Sequence, residues 1–141
     1  MVENKIQKVA FAFREAILSI PLNQRPLGLS KFPSGACGDT ALLLGAYLND
    51  LGELGFSYVS GCRGNHEDNT WHTHAWLQRD NLLIDLTCDQ FDDSPSGFVF
   101  KTSDWHQQFR EIEFSDADFR DWHGHSVYEL GQFYAKILAR L

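Results

Sequence analysis

The chain of 141 residues carries 12 Lys and Arg against 19 Asp and Glu, a formal charge of −7, with 43% hydrophobic and 13% aromatic residues. This is one domain by length, able to bury roughly two-thirds of its unfolded surface without disulfide or metal staples. The acidic balance argues against nucleic acid or an anionic membrane as the main partner, because both demand a basic face; no apolar run nears the ~20 residues that span a bilayer, and the charged start Met1–Lys5 lacks the apolar core of a secretion signal.

Ile6, Val9, Phe13, Ile17 and Ile20 recur at spacings of three and four, which predicts an amphipathic helix over residues 3–20, stopped by Pro21. Residues 21–36 hold Pro21, Pro26, Gly28, Pro33 and Gly35 and read as a loop. A second helix is expected over 37–51, where the run of Leu42, Leu43, Leu44, Ala46, Leu48 and Leu51 leaves little polar surface and implies a central position. From Phe56 the period drops to two, so Phe56–Ser60 reads as a strand. Residues 61–70 are polar and glycine-bearing, hence a loop. Trp71–Gln78 and Leu82–Leu86 then form a hairpin about Arg79-Asp80-Asn81. A loop over 89–97 and a short strand over 98–101 follow, residues 102–125 show no clear period, and Val127–Leu141 closes the chain as a helix. Helices, then consecutive strands, then a helix predict an α+β domain in which an antiparallel sheet packs on the Cys37-bearing helix.

The odd cysteine count, Cys37, Cys62 and Cys88, closes no disulfide framework and matches no zinc knuckle, so free thiols in a reducing, cytoplasmic compartment are expected. Cys37 sits in Pro33-Ser34-Gly35-Ala36-Cys37-Gly38-Asp39, at the first turn of the second helix. There the helix dipole and unpaired backbone N–H groups favour the nucleophilic thiolate. His74 lies in Thr73-His74-Ala75-Trp76-Leu77 and Asp85 in Leu83-Ile84-Asp85-Leu86-Thr87, each a polar group among apolar strand residues. Nucleophile, base and orienting carboxylate, on helix, strand and strand, are what thiol-dependent acyl transfer requires. Strand alternation puts His72, His74 and Trp76 on one face and Ala75 and Leu77 on the face suited to the core.

Gly35-Ala36-Cys37-Gly38-Asp39-Thr40-Ala41-Leu42-Leu43-Leu44, Tyr58-Val59-Ser60-Gly61, His74-Ala75-Trp76-Leu77 and Ile84-Asp85-Leu86-Thr87 together resemble the transglutaminase-like branch of the papain-like fold. The resemblance covers residues 33–91, and Leu86–Phe91 is similar to small bacterial members of that clan. It implies that Cys37 attacks an amide or acyl carbon, that His74 is its base, and that Asp85 orients His74. The short spacing from Cys37 to His74 leaves little room for the extra strands of larger members. The implied activity is a protease, deamidase or transamidase working through a thioester on Cys37, acting on a peptide or protein amide with water or an amine as acceptor and with no cofactor. The oxyanion would lie on the backbone N–H of Cys37 and on Gln24 or Asn23 from the preceding loop, with Trp76, Trp71 and His72 as pocket residues.

Two other classes compete. His72-x-His74 is a strand pair able to ligate zinc in a hydrolase, with Cys37, Asp85, His66 or Cys62 completing the set; His123-x-His125 is a second such pair, better read as polar loop. A non-catalytic binding protein on the same fold is the third class, disfavoured by the Cys, His and Asp standing in register. Asp89, Asp92 and Asp93 read as a solvated loop, because the spacing of a calcium loop is missing.

Overall fold

A computed structural model describes the backbone of residues 2–141 and the side chains of residues 4–124 and 126–141. Helix α1 (Val2–Ser19) buries Ile6, Ala10, Phe13, Ala16 and Ile17 along one stripe, as the 3.6-residue spacing requires. Two short 3-10 turns lead through the Pro-rich segment to α2 (Cys37–Asp50). Eight of the 14 residues of α2 are buried, which makes it the central helix of the molecule.

Strands β1 (Ser57–Arg63), β2 (His72–Arg79), β3 (Leu82–Ile84), β4 (Val99–Lys101) and β5 (Arg110–Asp116) form one antiparallel sheet in the order β4-β3-β2-β1-β5. Between β4 and β5 lies the single-turn helix α3 (Asp104–Gln107), and α4 (His125–Leu138) ends the chain. The architecture is α+β, as expected. Leu77, Leu82 and Ile84 face a core shared with α1, α2 and α4. The opposite face is also covered: Val59, Trp76 and Leu83 pack with Cys88, Trp105 and Phe109.

The differences from the sequence reading have physical causes. Strand β1 continues through Gly61, Cys62 and Arg63, residues expected to be loop, because β5 supplies a second neighbour there. A Cβ on Gly61 would lie 2.6 Å from Ile112 Cδ1 and 3.1 Å from Phe109 Cβ, so the glycine lets the strands close up beside a register shift. Strand β3 stops at Ile84, two residues early, where the backbone turns and Asp85 N–H is given to Phe98 O at 2.8 Å. The unassigned stretch 102–125 holds α3, β5 and a 3-10 turn at Phe119–Asp121. Every residue of β5 is exposed, as befits an edge strand.

Helix α2 crosses the segment after β5 at Gly45, where a Cβ would overlap the carbonyl oxygen of Ala117. Gly45→Ala is therefore expected to destabilise the protein despite the better helix propensity of Ala. Overpacking of this kind costs about 1–3 kcal/mol, enough to lower Tm by roughly 3–10 °C at this chain length. Thermal unfolding followed by circular dichroism measures it, and an unchanged or raised Tm would contradict the close crossing.

Candidate functional site

Cys37 is the first residue of α2 and is half-buried. Its N-cap, Ala36, supplies no side-chain acceptor, so the N–H groups of the first turn keep their hydrogen-bonding capacity. His74 lies in β2, opposite Gly61 of β1, and is 1% exposed. Because β3 pairs with β2 only at Leu77, Gln78 and Arg79, the edge of β2 beside His74 and Ala75 is left open. The start of α2 and the turn after β3 fill that opening. They enclose a cavity of about 10 Å³ lined by Cys37, Thr40, Ala75, Trp76, Asp85 and Thr87, room for no more than about one water.

Asp85 follows directly on β3 and is 1% exposed. Its Oδ2 lies 2.7 Å from His74 Nε2, and its Oδ1 accepts the Thr87 N–H at 3.1 Å. With Asp85 ionised, Nε2 of His74 carries the donated proton, which leaves Nδ1 for the thiol side of the ring. That buried Nδ1 makes no close hydrogen bond, and the neighbouring Cys37 sulfur favours its protonation. Burial works against the imidazolium, but the hydrogen bond to Asp85, the contact with Cys37 and the charges of both outweigh it, so His74 is raised from 6.5 to about 9. Asp85 shows the converse balance. Burial pushes its pKa up, while hydrogen bonds from His106 and His74 and their charges bring it below the ordinary 3.8.

An aromatic box surrounds His74. The rings of Phe91, Phe109, Trp76 and Trp105 lie 5.0 to 6.0 Å from it. Arg63 spans Phe91, Trp105 and Phe109 and pairs with Asp93 at 2.9 Å, closing the box from outside. Arg14 from α1 binds Leu86 O and Asp89, which fixes the turn after Asp85. Asp89 and Asp93 are thus arginine partners within the acidic loop.

Cys37 and Asp85 line one cavity with Trp76, and His74 is hydrogen-bonded to Asp85 and neighbours Cys37. The other expected residues go elsewhere. Gln24 and Asn23 line a groove against α4 with Glu129, Gln132 and Lys136 and share no wall with the Cys37 cavity. The oxyanion role expected of them is therefore corrected: the Pro-rich loop turns them toward α4. Trp71 is exposed and stacks on His66 at 4.6 Å, away from His74. His72 stacks on Phe91, with Nδ1 at 2.9 Å from Thr70 O and Nε2 taking a hydrogen bond from Arg63. His72 and His74 therefore do not form a ligand pair, and Cys62 is engaged with Glu111 at 3.1 Å. His123 is exposed, and the side chain of its partner His125 lies outside the described residues. All three thiols are free.

Three residues with no assigned role in the sequence reading belong here. His106 Nε2 lies 2.7 Å from the same Asp85 oxygen that binds His74. Its only sequence signal is Ser103-x-x-His106, a helix N-cap pattern. The Tyr58 hydroxyl reaches the start of α2, where a Cβ on Gly38 would lie 3.1 Å from it. Burial, then the charges of Cys37 and Asp39, raise this phenol to about 12, so it keeps its proton at neutral pH. Trp122 packs edge-on against Tyr58 at 5.5 Å.

His74, Asp85 and His106 also form a group of three metal-ligand types whose atoms lie within 4.8 Å of one another. Their 2.7 Å N···O separations are hydrogen-bond lengths. Ligands held about 2.0–2.2 Å from a tetrahedral zinc stand farther apart than that, so the cluster is a proton-bonded one. No family model matches the chain, and no curated protein or solved structure matches it. Among the described residues no helix is long and apolar enough to cross a membrane.

The charge balance fixes the sign of the pH dependence. Because folding raises His74 above 6.5, its stabilising contribution is complete below 6.5 and is lost as pH rises through about 9. Asp85, lowered by folding, contributes fully above 3.8, and that contribution is lost as pH falls through its lower folded value. Nitrogen-15 NMR of the imidazoles should find His74 cationic at neutral pH and titrating near 9, with Tm falling across the same alkaline range. A His74 that titrates at or below 6.5 would contradict this balance.

Proposed function

We propose that this protein is a cysteine-dependent amide-processing enzyme of transglutaminase-like type, with Cys37 as nucleophile, His74 as acid and base, and Asp85 as the group that orients His74. The observation that carries the reading is the Cys37–His74–Asp85 line. A thiol at a helix start faces one imidazole nitrogen while a fully buried carboxylate holds the other at 2.7 Å. A buried ion pair of this kind is costly as a stability device, and its alignment on a half-exposed thiol suits acyl transfer.

The Cys37 thiolate attacks the carbonyl carbon of an amide, and the electron pair of the C=O bond moves onto oxygen. Collapse breaks the C–N bond, His74 gives its proton to the departing amine, and a thioester remains on Cys37. Water or a second amine then attacks the thioester, gives a proton to His74 and releases the Cys37 thiolate. Water yields the acid, by proteolysis or deamidation; an amine yields a new amide. The backbone N–H of Cys37 and the Tyr58 hydroxyl are the two donors suited to the oxyanion, and Tyr58 with Trp122 forms an aromatic wall for a peptide or protein amide.

Incubation with glutamine-, asparagine- and peptide-based acyl donors should leave a covalent mass on the Cys37 peptide and on neither Cys62 nor Cys88. Iodoacetamide should likewise label Cys37 first at pH 6. Burial, ahead of the charges of Asp85 and Asp89, holds the proton on Cys88. Equal labelling of the three thiols, or no acyl adduct with any donor, would sink the reading. Tyr58→Phe should slow acylation on the order of 100-fold, the scale of losing one oxyanion donor, while leaving iodoacetamide labelling of Cys37 nearly unchanged. Unaltered acylation by Tyr58→Phe would remove Tyr58 from the oxyanion site.

A further inference from the structure

The Asp85 carboxylate serves two imidazoles. His74 Nε2 and His106 Nε2 each lie 2.7 Å from Oδ2, one carried by β2 and the other by α3, and Trp76 and Trp105 touch both rings. The proton positions around His106 are determined by its partners. His106 Nδ1 lies 2.6 Å from Ser103 Oγ, and that oxygen already accepts the His106 backbone N–H at 3.2 Å. Ionised Asp85 can only accept, so Nε2 carries the hydrogen that His106 gives to it, and Nδ1 of the neutral ring then accepts from the Ser103 hydroxyl. Ser103 is at once the N-cap of α3 and the lock on the His106 tautomer. Trp76, Trp105 and Phe100 pack around the ring at 4.8, 4.8 and 5.4 Å, so it has one orientation. A pocket of about 250 Å³ bounded by Ser103, His106, Gln78, Asn81 and Thr102 lies beside the ring, and Cys37 is not in its wall.

We propose that His106 is a positioning residue, which holds Asp85 ionised and turned toward His74 by donating a second hydrogen bond to the same carboxylate oxygen. The proposal rests on the reading of Cys37, His74 and Asp85 as the working site and extends it to a four-residue line anchored by Ser103. The need for such a donor follows from burial. Asp85 has almost no contact with solvent, and a carboxylate there stays charged only while hydrogen bonds offset its lost hydration. Without His106, Oδ2 would keep His74 alone and Oδ1 would keep Thr87. The His74–Asp85 pair would then take up a proton at higher pH, and protonated Asp85 no longer supports the imidazolium that faces Cys37.

The charged and titratable groups around this line are few. His74 comes from β2, Cys37 from α2, His106 from α3, and the Cys88 thiol from the turn after Asp85, held protonated by burial and by the Asp85 charge. Arg14 and Asp89 pair beyond Leu86. Arg63 and Asp93 pair outside the aromatic box, and Asp80 lies on the rim of the Ser103 pocket.

The test compares His106→Phe, His106→Gln and Ser103→Ala with the unaltered protein, using nitrogen-15 NMR of His74 and the pH dependence of iodoacetamide labelling at Cys37. His106→Phe fills the space without a donor and should move the acid limb of both profiles upward by about one pH unit, a roughly tenfold loss of labelling on that limb. His106→Gln places an amide N–H toward the same oxygen and should recover most of the shift. Ser103→Ala, which frees the ring without emptying the core, should move the limb the same way by less and carries the test if His106→Phe does not fold. A folded His106→Phe with unchanged His74 resonances and pH profile would overturn the proposal. So would a His106→Gln that behaves like His106→Phe, or one equivalent of zinc that survives dialysis and is lost in both, since metal-bound nitrogens donate no hydrogen bond to Asp85. If the His74 resonances shift in His106→Phe while Cys37 labels no faster than Cys62 in the unaltered protein, His106 keeps its role and the enzymatic reading fails.

Discussion

The buried negative charge of Asp85 constrains more of this molecule than any other single group. A carboxylate removed from water must find donors, and here they come from segments far apart in sequence: His74 on β2, His106 on α3 and the Thr87 backbone in the next turn. Satisfying one side chain therefore fixes where β3 ends, how the chain turns after it, and where α3 must dock. The backbone of Asp85 adds a fourth tie, its N–H donated to Phe98 O. An apolar side chain at this position would need none of the three donors to the carboxylate.

The aromatic cluster makes that charge effective. Trp76, Phe91, Trp105 and Phe109 exclude water from His74, which lowers the local dielectric and strengthens its bond to Asp85. Burial alone would drive the proton off His74; the carboxylate and the nearby thiol reverse that outcome. Two arginines secure the surroundings from outside. Arg63 lies over the cluster and pairs with Asp93, while Arg14 ties α1 to the turn at Leu86 and Asp89 and rests on Phe32 and Phe98. Both are partly buried cations whose stems also pack, so their value lies in geometry as much as in charge.

Sheet length is the other device. Had β3 continued to Leu86, its ladder would have run alongside Trp76 and Ala75 and closed the edge of β2 to the start of α2. Its end at Ile84 opens that edge. A helix packed on one face of the sheet can thus present its first residue to a histidine whose ring belongs to the other face. The cavity between them is nearly filled, and Tyr58, with Trp122 packed on it, lies against Gly38 at the start of α2.

Period and composition by themselves determined the helices α1, α2 and α4, the β2–β3 hairpin and the α+β class, because apolar spacing is a local property that burial then enforces. The order Cys37, His74, Asp85 was likewise legible, Cys37 from the small-residue turn that opens a helix, His74 and Asp85 as polar groups among apolar strand residues. Strand β5 carries the alternating Glu111-Ile112-Glu113-Phe114, but the run is short and neither of its faces is buried. The placement of Gln24 and Asn23 against α4, of Tyr58 beside Gly38, and of His106 on Asp85 was decided only by tertiary structure. Those contacts join residues up to about a hundred positions apart, and nothing in the local sequence of a histidine in a one-turn helix specifies which carboxylate it will meet.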